Sequence, residues 1–135
     1  MADNYPEAAR KHVLDSEALL GASRYDGAGY LAGYAFECTL KTLIWVETGK
    51  KGSGGHDLNS LSAQALQLAS LPTQKTAAYV KGQTATSLRG PAGWRSTLRY
   101  EPEGTVTRAD CEAWVSEARR LHDQIIVPMK SAGVL

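Results

Sequence analysis

The sequence is poor in the residues that mark special chemistry. Cysteine occurs only at Cys38 and Cys111, far apart and each in an apolar helical context. No paired-cysteine spacing is present, which excludes a disulfide framework and the usual zinc and redox motifs. The three histidines, His12, His56 and His122, are scattered without ligand spacing, so neither a metal nor a cofactor is expected. Neither sign of charge is in excess. Fifteen Lys and Arg against 14 Asp and Glu leave a net charge of +1. That balance excludes strong bulk attraction to nucleic acid and leaves room for a local basic patch. The chain has no run of the roughly 18 uncharged apolar residues that a membrane span requires. Its start, MADNYPEAARKH, lacks the apolar core of a signal peptide. A cytoplasmic protein with reduced thiols and no membrane contact is expected. No segment alternates as a strand would, and no repeat is present.

What is there is helical. At 135 residues the chain is expected to form a single domain, 1–135, with one core. The stretch Arg24 to Gly49 reads as one long central helix, with Asp26 able to cap its start and Gly49 able to end it. It is apolar or small on nearly every side, as in a helix surrounded by others. Gly29 and Gly33, with Ala28, Ala32 and Ala35, leave room for a neighbouring backbone. Glu37 and Lys41 are the charged exception: four apart, they either pair as a helix-stabilising couple or present a polar patch to a cleft or partner chain.

A first helix over residues 5 to 21 carries Pro6 in its first turn and the inward stripe Ala9, Val13, Ser16 and Leu20. His12 beside that stripe reads as a surface residue. Residues 49 to 57, GKKGSGGHD, are glycine-rich and basic, but the P-loop order is absent and a flexible connection is expected. Asp57 caps a third helix with the stripe Leu58, Leu61, Ala65 and Leu68. His56, just before that cap, is a packing residue, a local backbone partner, or a functional imidazole facing a cleft. A shorter fourth helix follows Pro72, with Ala77 and Val80 inward. Residues 82 to 106 read as mostly irregular chain. There Arg89, Arg95 and Arg99 are interleaved with Trp94 and Tyr100. Such a set can bind phosphates and stack on bases, or can anchor a long loop to the core. Thr107 opens the last helix, whose stripe Trp114, Ala118, Leu121, Ile125 and Met129 runs at spacings of four, three, four and four. His122 reads as solvated. The expected fold is an all-α, mostly antiparallel bundle of four to five helices.

The central YLAGYAFECTLKTLI, the following GHDLNSL and the later LRYEPEG together resemble the small prokaryotic HEPN domains, from about Ala8 to Met129. The resemblance implies a four- to five-helix bundle, a homodimer, and a place in toxin–antitoxin or defence modules beside a minimal nucleotidyltransferase partner. Several HEPN proteins are metal-independent ribonucleases, with an Arg followed a handful of residues later by His. That spacing is absent here, which favours a non-catalytic module binding RNA, a nucleotide or a partner protein. The alternatives are a ribonuclease with His56 as general base and Arg99 or Arg95 stabilising phosphorane-like charge, and a purely structural dimerisation domain. Glu37, Lys41, His56, Asp57, Arg99 and Tyr100 carry over from the resemblance as site candidates. Arg95 joins them from the basic aromatic stretch, and Glu37, Lys41, His56, Arg99 and Tyr100 are expected to converge on one cleft.

Overall fold

The computed structural model describes residues 4–50, 55, 57–70, 75–80, 83, 88 and 93–135, and regular structure among them is helical throughout. Helix α1 spans Tyr5–Gly21. The Asn4 side chain accepts from the Glu7 N–H, Pro6 sits in the first turn, and Ala9, Val13 and Ser16 are buried. Leu20, the last residue of the expected stripe, is only partly buried. A tight link, with Ser23 at a positive φ of 60°, leads into α2, Tyr25–Thr48. Gly49 ends α2 in the left-handed region at φ 72°, its N–H donating to the Trp45 carbonyl. Helix α3, Leu58–Ala69, is capped by Asp57, which accepts from the Asn59 N–H at 3.0 Å. Its buried face is Leu58, Leu61, Ala65 and Ala69, with Leu68 at the margin. Helix α4 spans Ala77–Val80 and buries Val80. Within the stretch expected to be irregular, Ser96–Tyr100 form a 3-10 helix. Helix α5 spans Arg108–Ser131 behind a Thr107 cap that accepts from the Asp110 N–H, and Pro128 lies within its last turn. All five residues of its predicted stripe are buried.

Helix α2 is the hub: it packs on α1, α3, α5 and the 3-10 helix. Two large apolar clusters lie along it, beside a small one of Ala9, Cys38 and Ile126. Ala28, Ala32 and Ala35 meet Val13, Cys111, Trp114, Val115 and Ala118. Further on, Phe36, Leu40, Leu43 and Ile44 meet Leu121, Ile125 and Met129, together with Leu58, Leu61 and Ala65 of α3. Early residues of α2 therefore pair with early residues of α5, and late with late. The two longest helices run parallel, which corrects the expectation of a mostly antiparallel bundle for this pair. The segment between them carries the chain back to the level where α2 began. Helix α1 runs against both. Glu17 near its end accepts from Arg119 Nε at 2.9 Å, while Pro6 and Arg10 near its start share a crevice with Lys130.

Asp26 does not cap α2. It sits inside the first turn and reaches across the molecule, accepting from the Gly104 N–H at 2.8 Å and the Val106 N–H at 2.9 Å. The two carboxylate oxygens fasten the turn before α5 to the start of α2. The helical glycines also serve a different purpose from close backbone approach. A Cβ on Gly33 would lie 1.8 Å from Trp94 Cε2, and one on Gly29 would lie 2.9 Å from Val106 Cγ1 and 3.0 Å from Trp114 Cε3. Two indole rings of the same chain fill the small-residue stripe, so it offers no seat for a second copy. Among the described residues no helix is long and apolar enough to cross a membrane.

Candidate functional site

The helical spacing of α2 places Tyr30, Tyr34, Glu37 and Lys41 at steps of four, three and four, on one face. Glu37 and Lys41 form an ion pair at 3.2 Å, and both are buried, at 4% and 9% exposure. The Lys41 ammonium also lies over the Tyr5 ring of α1, 5.6 Å from its centroid. Each charge is thus compensated within the helix pair. One turn back, the Tyr30 and Tyr34 rings stand 4.8 Å apart, and the Tyr34 ring meets Trp94 edge-on at 5.5 Å. Burial raises the Tyr34 phenol well above the usual range, and the Tyr30 hydroxyl bonded to it adds to the effect. That hydroxyl keeps its proton at any physiological pH.

Trp94 anchors the loop before the 3-10 helix. Its ring lies against Gly33, and its Nε1–H is shared between the carbonyls of Gly29 at 3.1 Å and Tyr30 at 3.2 Å. The 3-10 helix then delivers Arg99 and Tyr100 to the same face. The Arg99 guanidinium lies over the Tyr100 ring, 4.9 Å from its centroid, and beside the Tyr30 hydroxyl. Tyr100 is 77% exposed. Glu101 does not neutralise Arg99. Its carboxylate is taken by Arg95, whose Nε and Nη2 both donate to it while Nη1 donates to the Gly93 carbonyl. Arg108, Arg119 and Arg120 likewise have carboxylate partners, whereas Arg99 has none among the described residues.

The expected convergence is therefore partial. Arg99, Tyr100 and Glu37 belong to one face, linked through Tyr34, which feels both Glu37 and Arg99. Lys41 lies one turn further along α2. Arg95 is folded back on its own loop and Asp57 is occupied as a helix cap. His56 lies outside the described residues, as does Arg89. Tyr30, Tyr34 and His12 lie outside the expected set. The tyrosines were legible only as part of the four-three-four row with Glu37 and Lys41. His12, expected at the surface, is half-buried against Tyr34 at a ring-centroid distance of 6.1 Å. Burial first, and the neighbouring Lys11 second, lower its pKa and favour the neutral ring.

Other hollows lie away from this row. One of about 450 Å³ lies between the α1–α2 link and residues 103–106, and two of about 560 and 320 Å³ lie between α1 and the end of α5. None of the three is lined by Tyr30, Tyr34 or Tyr100. Among the described residues no group of three or more His, Cys, Asp and Glu side chains could hold a metal ion. The arrangement around Arg99 can hold an anion and stack a planar ring. It offers a guanidinium without a carboxylate partner among the described residues, an exposed phenol at Tyr100 and, at Tyr34, a phenolic donor that stays protonated. No family model, curated protein or solved structure matches the chain.

Proposed function

We propose that this chain is a small helical module that binds RNA or a nucleotide at the Arg99–Tyr100 surface without catalysing a reaction. The observation that carries the reading is the state of Arg99: it has no carboxylate partner among the described residues and lies over the ring of a largely exposed tyrosine. A guanidinium in that state holds a phosphate by charge-assisted hydrogen bonds, and the adjoining ring gives a base a face to stack on. The resemblance to HEPN domains, carried by the residues of α2, the start of α3 and the Arg99–Tyr100 pair, supplies the setting: a toxin–antitoxin or defence system with a nucleotidyltransferase-type partner.

The test is fluorescence anisotropy with a labelled single-stranded RNA, read beside a gel that reports RNA integrity. Arg99→Ala and Tyr100→Ala should each weaken binding about tenfold or more, the scale of one stacked base or phosphate contact. Arg95→Ala, which removes a guanidinium already engaged by Glu101, should change it little. Equal affinity in the wild type, Arg99→Ala and Tyr100→Ala overturns the assignment of the surface. RNA cleavage by the chain overturns the non-catalytic reading.

A further inference from the structure

The crevice between the start of α1 and the end of α5 has a composition that the Arg99 surface does not explain. Its volume is about 320 Å³, near the lower end of the roughly 300–1,000 Å³ typical of small-molecule sites. On α5, His122, Ile126 and Lys130 recur every four residues and so share one face. On α1, Pro6 and Arg10 do the same. The wall is thus divided by chemistry: apolar from Pro6, Ile126 and Val127, cationic from Arg10 and Lys130, a hydroxyl from Ser131, and a single imidazole from His122. Neither Arg10 nor Lys130 has a carboxylate within salt-bridge distance among the described residues, and no acidic side chain lines this crevice.

His122 is the decisive residue. It is 4% exposed. The Asp123 carboxylate, which also accepts from Arg119 at 3.4 Å, lies 3.0 Å from Nδ1. A carboxylate accepts, so Nδ1 carries the proton, and in the neutral ring the lone pair sits on Nε2. That Nε2 is buried and has no hydrogen-bond partner. A buried polar atom left unsatisfied is costly, and such atoms call for an explanation.

The geometry points to a second binding site here, for a small hydroxy acid. Its carboxylate would be held by Arg10 and Lys130, its hydroxyl would donate to His122 Nε2, and its apolar body would lie on Pro6, Ile126 and Val127. The site shares no residue with the Arg99 surface and does not depend on the RNA reading. A lone pair on Nε2 selects a donor, and the two cations select an anion. A simple fatty acid or an uncharged alcohol satisfies only one of these requirements.

Mandelate, phenylacetate and benzyl alcohol separate the requirements, because the second lacks the hydroxyl and the third lacks the carboxylate. The full chain is titrated with each while the His122 ring nitrogens are followed by NMR. Mandelate should shift Nε2 saturably, and phenylacetate and benzyl alcohol should each bind about tenfold more weakly, the scale of one net hydrogen bond or exposed charge contact. In His122→Phe, mandelate and phenylacetate should bind equally, because the ring remains and the acceptor is gone. If that variant fails to fold, the comparison of the three probes on the wild type still decides. Lys130→Gln should weaken both acids alike. The proposal is overturned by the absence of a saturable mandelate shift, by equal binding of mandelate and phenylacetate to the wild type, or by an undiminished mandelate preference in a folded His122→Phe protein.

Discussion

Gly33 shows how much depends on one missing methyl group. In an exposed helix, replacing glycine by alanine is stabilising by up to about 1 kcal/mol, because alanine loses less backbone entropy. At Gly33 the added Cβ would lie 1.8 Å from the Trp94 ring, which two α2 carbonyls hold in place. A rigid indole cannot yield that distance without releasing its hydrogen bonds and the loop behind it. Gly33→Ala is therefore expected to destabilise by about 1–3 kcal/mol, the range of core overpacking. Gly21, the last residue of α1, has nothing within 4 Å of such a Cβ, and Gly21→Ala should be neutral or mildly stabilising. Urea denaturation of the two variants makes the comparison. Equal stabilities would mean that Trp94 does not occupy the notch.

The elements are joined by side chains that satisfy the backbone of distant segments. Asp26 does this for residues 104–106, and Glu47 for the entry to α4. The Glu47 carboxylate accepts from the Lys75 N–H at 2.8 Å, the Thr76 N–H at 3.0 Å and the Thr76 hydroxyl at 2.8 Å. Burial alone would raise its pKa, but the bonds from Lys75 and Thr76 outweigh burial and hold it below its ordinary 4.5. A depressed folded pKa contributes stability that is present above the unfolded value. It is lost as pH falls through the folded value. Glu47→Gln should therefore be less stable than the wild type at neutral pH. The gap should close as pH falls from the ordinary carboxylate value through the depressed one. Parallel denaturant melts at stepped pH measure this, and a gap that widens on acidification would refute the assigned role of the carboxylate.

For the molecule as a whole, α2 belongs to both large apolar clusters, and α5 accompanies it through both. Neither cluster can open without exposing a face of the same two helices, so they should unfold together. Two of the three tryptophans, Trp94 and Trp114, pack at the Ala28–Ala35 end and Trp45 lies on the late part of α2, so fluorescence is weighted toward the former, while far-ultraviolet circular dichroism reports every helix. The two signals should give coincident denaturation curves, as a single cooperative unit requires. An earlier fluorescence transition would show that the Ala28–Ala35 end melts on its own. The two candidate sites lie on different joins of this unit, one where the 3-10 helix meets α2 and one where α1 meets α5.

Features that act within about one helical turn can be read from residue types alone. The Gly49 stop and the Asp57 and Thr107 caps each need only a residue type and its immediate successors, and all three are in place. The α5 stripe was equally legible, because a period near 3.6 marks an inward face whatever it packs against. Tertiary structure alone decided the contacts between residues far apart in the chain. Asp26 had the composition of a cap and became a tether, because residues 104–106 come within reach of its carboxylate. Gly29 and Gly33 signalled a close neighbour but not its identity, since a notch in a helix fits a backbone or an indole alike. His122 has the same sequence neighbours in either environment, and its burial follows from α1 lying across that face of α5. Arg99 is left without a carboxylate because Arg95 takes Glu101, a choice made by the turn of the 3-10 helix that no local propensity encodes. Local free energies are written in short spacings. The partner of a side chain is set by which elements the whole fold brings together.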